Sequence, residues 1–494
     1  VIIRYKKDLE MNNNSQAIHL KKEILVHIIK AFDSDNFAEN TRVIPYDMRP
    51  KGAEVPYRCC IYKERAILKD RAIAGLGFQI EEDDERKSLY TYAEEALDRT
   101  ELNDKNLTVL QKACKGCVTS QIHVTDICQG CVARPCQSTC KFGAISIVDG
   151  KSHIDTEKCK KCKMCMNACP YGAIVQTTVP CEAACPVGAI SKDETGYASI
   201  DFDKCISCGR CIAACPFGAV HEKSQIIDIL KQIKNGKKVI AMVAPSIAGQ
   251  FKGSIYQIKT AMLKAGFTDV YEVAQGADIT ANNEAKEFVE RMERGDKFMT
   301  TSCCAGYNQF VKKHLPEIKP YVSDTKTPLY YTAELVKQEI PDAITVFLSP
   351  CVAKRAEGYD NENVNYVMSF EELGSLFEAR DIKVEDCEET KYTKESSKQA
   401  RNFGLSGGVA ESVRKSLRDE DSIKPHVING LNKDTIKELK KFAKDGECCD
   451  GCNMVEVMCC EGGCIAGNAT MNPVRTAKKM IDALAAQSDD IEKI

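Results

Sequence analysis

Apolar residues near the start of the chain recur at helical spacing. Ala17, Leu20, Ile24, Leu25 and Ile28 follow this pattern, and so do Leu89, Tyr92, Ala93 and Ala96. The spacing predicts a mainly helical region over residues 1–112, broken by a stretch from Pro45 to Phe78 that contains Pro, Gly and the pair Cys59-Cys60. Over residues 113–222 the periodicity gives way to closely spaced cysteines. After His221 short apolar runs appear at Val239–Ala244, Val270–Val273, Ala343–Leu348 and Val364–Met368, separated by helix-like stretches. That alternation predicts an α/β domain with substantially parallel sheets over residues 223–494. Ala244-Pro245-Ser246, Thr301-Ser302-Cys303-Cys304 and Ser349-Pro350-Cys351 each closely follow an apolar run. They are therefore expected at the carboxyl ends of strands, where open α/β sheets place their ligands.

Composition narrows the chemistry. The chain has 494 residues, enough for about two to four domains. A formal charge of -3 argues against a nucleic-acid partner, whose phosphates call for a basic surface. No apolar run approaches the roughly 18 to 20 residues that a membrane span requires. The opening V-I-I-R-Y-K-K has neither a long apolar core nor a small-residue cleavage site, so a cytoplasmic location is expected. In that reducing compartment the 28 cysteines read as metal ligands rather than disulfides. Zinc is the alternative for any single C-x-x-C pair. Sixteen cysteines between Cys114 and Cys215, with C-x-x-C-x-x-C-x-x-x-C-P repeated, point to iron–sulfur clusters instead.

In two-cluster ferredoxins, three closely spaced cysteines hold one cubane and the fourth crosses to its neighbour. By that rule Cys128, Cys131, Cys136 and Cys169 hold one cluster, and Cys159, Cys162, Cys165 and Cys140 a second. If Cys114/Cys117 and Cys181/Cys185 are halves of one motif split by an insertion, the rest divide as well. Cys205, Cys208, Cys211 and Cys185 then hold a third cluster, and Cys114, Cys117, Cys181 and Cys215 a fourth. A plant-type C-x4-C-x2-C pattern is absent, so no [2Fe–2S] module is expected, and Cys59-Cys60 reads as structural.

T-S-C-C-A-G-Y (Thr301 to Tyr307), L-S-P-C-V-A-K-R-A-E (Leu348 to Glu357) and V-E-V-M-C-C-E-G-G-C (Val455 to Cys464) follow the cubane motifs in this order. Together they resemble the three signature segments of [FeFe] hydrogenases. The resemblance implies an iron-hydrogenase α/β fold with parallel sheets, an α+β ferredoxin-like [4Fe–4S] region and up to four accessory clusters. It implies that Cys304, Cys351, Cys460 and Cys464 hold the [4Fe–4S] part of an H-cluster. Cys464 would also bridge to a two-iron subsite carrying CO, cyanide and azadithiolate ligands. Lys354 and Ser246 correspond to donors toward the cyanides, and Met458 to a thioether packed beside the cluster. Cys303 corresponds to the family's proton-transferring thiol. Glu284, Glu287 and Arg291 fall at i, i+3 and i+7 on one helix face. With Ser323 they match the family's proton relay, whereas spacing alone favours a solvated helix face.

Departures place the chain in a divergent group. Ala305 stands where better-known members carry proline and Tyr307 where they carry tryptophan; Ser349 replaces a methionine and Leu329 a polar residue. The tail after the last ligand shrinks to Ile465-Ala466-Gly467-Asn468. Cys448, Cys449, Cys452 and Cys459 are additional; Cys449-x-x-Cys452 reads either as a redox-active pair or as buried small hydrophobes, and Cys387 as a lone thiol. The expected activity is 2H⁺ + 2e⁻ ⇌ H₂, with ferredoxin or a similar electron carrier and hydrogenase maturation proteins as partners. The alternatives are a sensory hydrogenase of low turnover, a non-catalytic iron–sulfur assembly relative and a simple polyferredoxin.

Overall fold

The computed structural model describes residues 16–52, 58–449 and 451–492. The opening segment of residues 1–7, read above for a leader, lies outside them. Helices α1 (Gln16–Phe32), α2 (Phe37–Met48), α3 (Ile61–Gly75) and α4 (Leu89–Asp98) form the predicted N-terminal layer. In α1 the buried stripe contains Leu20, Ile24, Leu25 and Ile28, and in α4 it is Leu89, Tyr92, Ala93 and Ala96. Among the described residues no helix is long and apolar enough to cross a membrane.

The cysteine-rich region is built as one ferredoxin-like unit nested in another. Leu107–Val109 pairs antiparallel with Val220–Glu222 and closes the outer unit. Inside it, Gln121–Val124 pairs antiparallel with Ile174–Thr177 and closes the inner one. The repeat has a local cause. Cys140, Cys169, Cys185 and Cys215 are each followed three residues later by glycine and then alanine, and Gly143, Gly172, Gly188 and Gly218 have φ between 55° and 65°. Glycine turns the chain there at little steric cost and feeds it into the next strand.

After residue 222 the sheets are parallel. Strands β1 (Val239–Val243), β2 (Asp269–Glu272), β3 (Met299–Thr300), β4 (Ile344–Ser349), β5 (Tyr366–Ser369), β6 (Pro425–Asn429) and β7 (Met454–Met458) fall into two sheets. The first has the order β2-β1-β4-β5 and the second β3-β7-β6, with every pairing parallel. The central strands β1 and β7 are buried along their whole length. Such strands read as continuous apolar runs because both faces are covered. The helices that matter for the site are α5 (Val273–Glu293), α6 (Ala305–His314), α7 (Ala353–Tyr359), α8 (Phe370–Ala379) and α9 (Gly408–Ser416).

One apolar core runs through the N-terminal helices and the first sheet, from Leu20 to Ile481. A buried polar network crosses it. Lys21 of α1 pairs with Glu222 at 2.7 Å and also with Glu371 of α8, so one ammonium joins three parts of the chain. Beside it Arg71 donates to the Gly218 carbonyl at 2.9 Å and meets His221 Nε2 at 3.0 Å. Burial and the Arg71 charge hold His221 well below its usual pKa, so its ring accepts from the guanidinium. Removing one partner from a buried ion pair leaves the other charge uncompensated. Lys21→Met is therefore expected to destabilise the protein by about 3–5 kcal/mol. Denaturant titration of variant and parent measures it; an unchanged midpoint would show that α1 docks without this cation.

Candidate active site and metal centres

Loops following four of the parallel strands enclose a buried cavity of about 90 Å³. Ser246 follows β1, Cys303 and Cys304 follow β3, and Cys351 and Lys354 follow β4. Met458 ends β7, and Cys460 and Cys464 lie in the turn beyond it. All eight side chains line the same cavity, whose remaining wall includes Leu329, Phe347 and Phe403.

Local structure explains how each cysteine is held. Ser349 Oγ donates to the Cys351 carbonyl at 3.0 Å and accepts from the Cys351 N–H at 3.0 Å, which fixes the turn after β4. The shortened tail serves the same turn: Asn468 Oδ1 accepts from the Val352 N–H at 3.2 Å, and the Ala469 N–H donates to the Pro350 carbonyl at 3.0 Å. Cys464 donates its N–H to the Gly404 carbonyl at 2.7 Å. The residue before it, Gly463, has φ 86° and ψ -158°, and a Cβ there would meet the Gly404 oxygen at 2.6 Å. Only glycine fits that approach. Tyr307, fully buried, meets Thr300 Oγ1 at 3.0 Å and so ties α6 to the strand that precedes the cysteine pair.

The donor set fits a thiolate-bound cluster. Burial pushes the Cys351 and Cys464 thiols up to about 12, and Cys460 well above its ordinary value. Gathered without a cation, these three thiols would stay protonated; a metal supplies the charge that lets them ionise, and soft sulfur donors select iron–sulfur or zinc chemistry. Cys304 Sγ already accepts from the Cys459 N–H at 3.4 Å. Two further groups mark room for polar ligand atoms. Ser246 Oγ is buried on the cavity wall without a hydrogen-bond partner. Lys354 Nζ donates to the Cys303 carbonyl at 3.2 Å and to Glu357, which leaves one of its three donors for the cavity. Against the desolvation of burial, the Glu357 carboxylate raises the Lys354 pKa, so the ammonium stays charged.

A line of titratable groups leads away from Cys303. The helix face that carries Glu284 and Arg291 is buried, at 0% and 5% exposure, so the solvated-face reading of these residues fails. Glu284 Oε1 accepts from Ser302 N and Oγ at 3.2 and 3.3 Å, and its Oε2 is unpartnered. Burial raises this carboxyl to about 7, the Ser302 N–H opposing and the Glu287 charge assisting. Burial and the Glu284 charge push the Cys303 thiol well above its ordinary value. Glu287 is treated differently. Ser323 Oγ at 2.6 Å, Thr325 Oγ1 at 2.8 Å, the Asp324 N–H at 2.9 Å and Arg291 Nε at 2.8 Å all donate to it. Against desolvation these bonds hold it below the usual carboxylate value. Ser323 is not hydrogen-bonded to Glu284 but lies near enough to oppose its rise in pKa. Arg291 also donates to the Pro320 and Val322 carbonyls at 2.7 and 3.0 Å.

Three smaller cavities of about 20 Å³ each lie in the cysteine-rich region. One is bordered by Cys128, Cys131, Cys136 and Cys169, one by Cys140, Cys159, Cys162 and Cys165, and one by Cys114, Cys117, Cys181 and Cys215. These are the predicted groupings. The remaining set is also gathered, because the charges of Cys208, Cys205 and Cys185 act on Cys211. Cys208 itself lines the large cavity, and Arg210 Nη2 donates to the Cys459 carbonyl at 3.0 Å. Sequence reasoning missed Glu357, Ser302 and Thr325, all short-range neighbours of residues it named. It also missed Glu456, whose buried carboxylate accepts from the Gly407 and Ala410 N–H groups at 2.7 and 2.8 Å at the start of α9. The V-E-V-M run places this acid mid-strand between apolar neighbours, and that was the available signal.

Residues 237–468 match the family "Iron only hydrogenase large subunit, C-terminal domain". Residues 152–175 match a 4Fe-4S binding domain, and residues 175–226 the LdpA Fe-S cluster-binding domain. The chain is 28% identical over 304 residues to the periplasmic [Fe] hydrogenase large subunit of Nitratidesulfovibrio vulgaris, covering 50% of this chain and 72% of that one. It is 29% identical to iron hydrogenase 1 of Clostridium pasteurianum, covering 50% of this chain and 52% of that one. A probable cytosolic Fe-S cluster assembly factor of Drosophila mojavensis is 25% identical, over 42% of this chain and 54% of that one. Among solved structures, a variant of the [FeFe]-hydrogenase HydA1 from Chlamydomonas reinhardtii is 17% identical, covering 52% of this chain and 88% of that chain, with a TM-score of 0.43.

The Glu284 carboxyl makes stability depend on pH. A carboxyl whose pKa is about 7 folded and 4.5 unfolded binds more protons in the folded state between those values. It therefore removes stability as pH rises through that window and has no further effect above it. Glu284→Gln is expected to abolish this term. Between pH 5.5 and pH 8 the variant should gain about 2 kcal/mol on the parent, read from denaturation midpoints. Glu287, held below the usual carboxylate value, is ionised throughout this window in both proteins, and Glu456 is present in both. Parallel pH profiles would show that Glu284 does not titrate in that window.

Proposed function

Because the chain is an [FeFe] hydrogenase-like protein with iron–sulfur binding motifs, we propose that it catalyses 2H⁺ + 2e⁻ ⇌ H₂ at an H-cluster held by Cys304, Cys351, Cys460 and Cys464. One observation carries this reading: those four cysteines share a single buried cavity with Cys303, Lys354, the unpartnered Ser246 and Met458. When bound, the H-cluster supplies the redox centre at which protons and electrons combine. The protein's own residues do the rest. Lys354 and Ser246 would offer donors to the polar ligands of the two-iron subsite, and Met458 would supply an apolar wall beside it.

Cys303 holds the proton nearest the site on Sγ, because its buried thiol resists ionisation. Glu284, poised near neutrality, takes and returns protons on that side. Ser323, near Glu284, donates to Glu287 and would complete the relay between the two carboxyls by a small side-chain movement, and Arg291 fixes Glu287 by an ion pair of 2.7 Å. The sixteen upstream cysteines would hold up to four [4Fe–4S] clusters, which would supply electron transfer, and Cys208 of one set lines the cavity. In this reading the chain divides at about residues 112 and 222. Its partners are ferredoxin or a similar carrier and the maturation proteins that deliver the two-iron subsite, in the cytoplasm.

The likeness to an iron–sulfur assembly factor favours a second reading, a hydrogenase-like protein without turnover. Infrared spectroscopy after reconstitution with the two-iron subsite separates the two. CO and cyanide bands together with H₂ evolution are expected, and their joint absence would establish the assembly reading. Cys303→Ala should lower H₂ evolution by about 10²- to 10⁴-fold while leaving those bands in place. Loss of the bands in that variant would mean that Cys303 ligates rather than transfers protons.

A further inference from the structure

The second sheet carries a cluster of ligating side chains at the end opposite the large cavity. His426 is the second residue of β6, and Cys449 and Cys452 sit in the loop that enters β7 at Met454. One ligand atom from each of the three lies within 4.8 Å of the others. They are brought together by the fold, since His426 stands in register with Val455 on the neighbouring strand. Two features fix the arrangement. The Cys452 N–H donates to the Cys449 carbonyl at 3.0 Å, and Gly451, with φ 75°, closes that turn so that both thiols point inward. His426 is held from the helix Lys433–Asp445, where Glu438 Oε1 lies 2.9 Å from Nε2 and the Phe442 ring meets the imidazole edge-on at 6.0 Å.

We propose that Cys449, Cys452 and His426 bind a zinc-class divalent cation. Size decides between cation and cluster. Bonds of about 2.3 Å to sulfur and about 2.0–2.1 Å to nitrogen put tetrahedral ligand atoms roughly 3.5 Å apart. The observed spacing suits one ion, whereas a cubane spreads its thiolates over separate irons. Glu438 accepts a hydrogen bond from Nε2–H, which directs Nδ1 to the metal in the carboxylate–histidine pattern common at zinc sites. The fourth position falls to water or to Cys448, whose Sγ lies 2.9 Å from the Cys452 carbonyl. Binding displaces thiol protons to solvent and changes no oxidation state. The ion pins the entry of β7 to β6 and thereby anchors the strand that delivers Met458 and Cys460 at its other end.

The test uses the full-length chain purified with its clusters and supplied with equimolar Zn²⁺. Elemental analysis should find about one zinc per chain, with zinc X-ray absorption showing mixed sulfur and nitrogen ligation. The double variant Cys449→Ser/Cys452→Ser should lose that zinc while keeping its iron content. Should the double variant fail to fold, Glu438→Gln removes no ligand and is expected to weaken zinc affinity by about 10- to 100-fold. Failure to retain zinc, retention undiminished in the double variant or in Glu438→Gln, an all-sulfur ligand set, or a Cys449–Cys452 disulfide that excludes zinc would each overturn the proposal.

Discussion

In a parallel sheet every strand hands its next residue to the same edge, so loops that follow different strands meet in space without being near in sequence. β1, β3, β4 and β7 use this property to bring Ser246, the Cys303-Cys304 pair, Cys351 and the Met458–Cys464 segment to one cavity. The arrangement has a cost, because buried thiols resist ionisation, as the raised Cys351 and Cys464 values show. A bound cluster offsets it by taking the thiolate charge. On the proposed reading the fold and the cluster would depend on each other: the sheets gather the donors, and a bound cluster would make their burial tolerable.

Unequal solvation along one helix sets two carboxyls to different proton affinities. Glu284 and Glu287 lie one turn apart on α5, yet the first receives only Ser302 as a donor residue while the second receives four. Donors stabilise a carboxylate and burial without them stabilises the acid. The two carboxyls are thus pushed apart, one toward neutrality and the other below its usual range. The same contrast accounts for Arg291, which is buried but satisfied by carbonyls and by Glu287 rather than by water.

Much of this was legible because it rests on local signals. The apolar runs at Val239 and Ala343 became β1 and β4, and the cysteine spacings anticipated sets that now border separate cavities. The second sheet was not. β3 is two residues long, and β7 carries a glutamate among its apolar residues, so neither presents a clear strand pattern. Glu456 is tolerated there only because α9 starts beside it and offers its N–H groups, a pairing across about fifty residues that no local pattern reveals. His426 is hidden for the same reason, since only the register of β6 with β7 sets it beside Cys449 and Cys452.

The N-terminal helices and the cysteine-rich region are bound to the sheets by more than apolar packing. Lys21 holds Glu222 and Glu371 together, and Arg355 binds Glu372 at 2.8 Å and the Lys223 carbonyl within the same junction. Charges so placed are satisfied in only one arrangement, whereas apolar surfaces alone permit sliding. At the other end Arg210 bridges the carbonyls of Leu431 and Cys459, fixing the Cys208 loop against the cavity wall. An electron route through Cys208 would then have a length set by the fold rather than by domain motion.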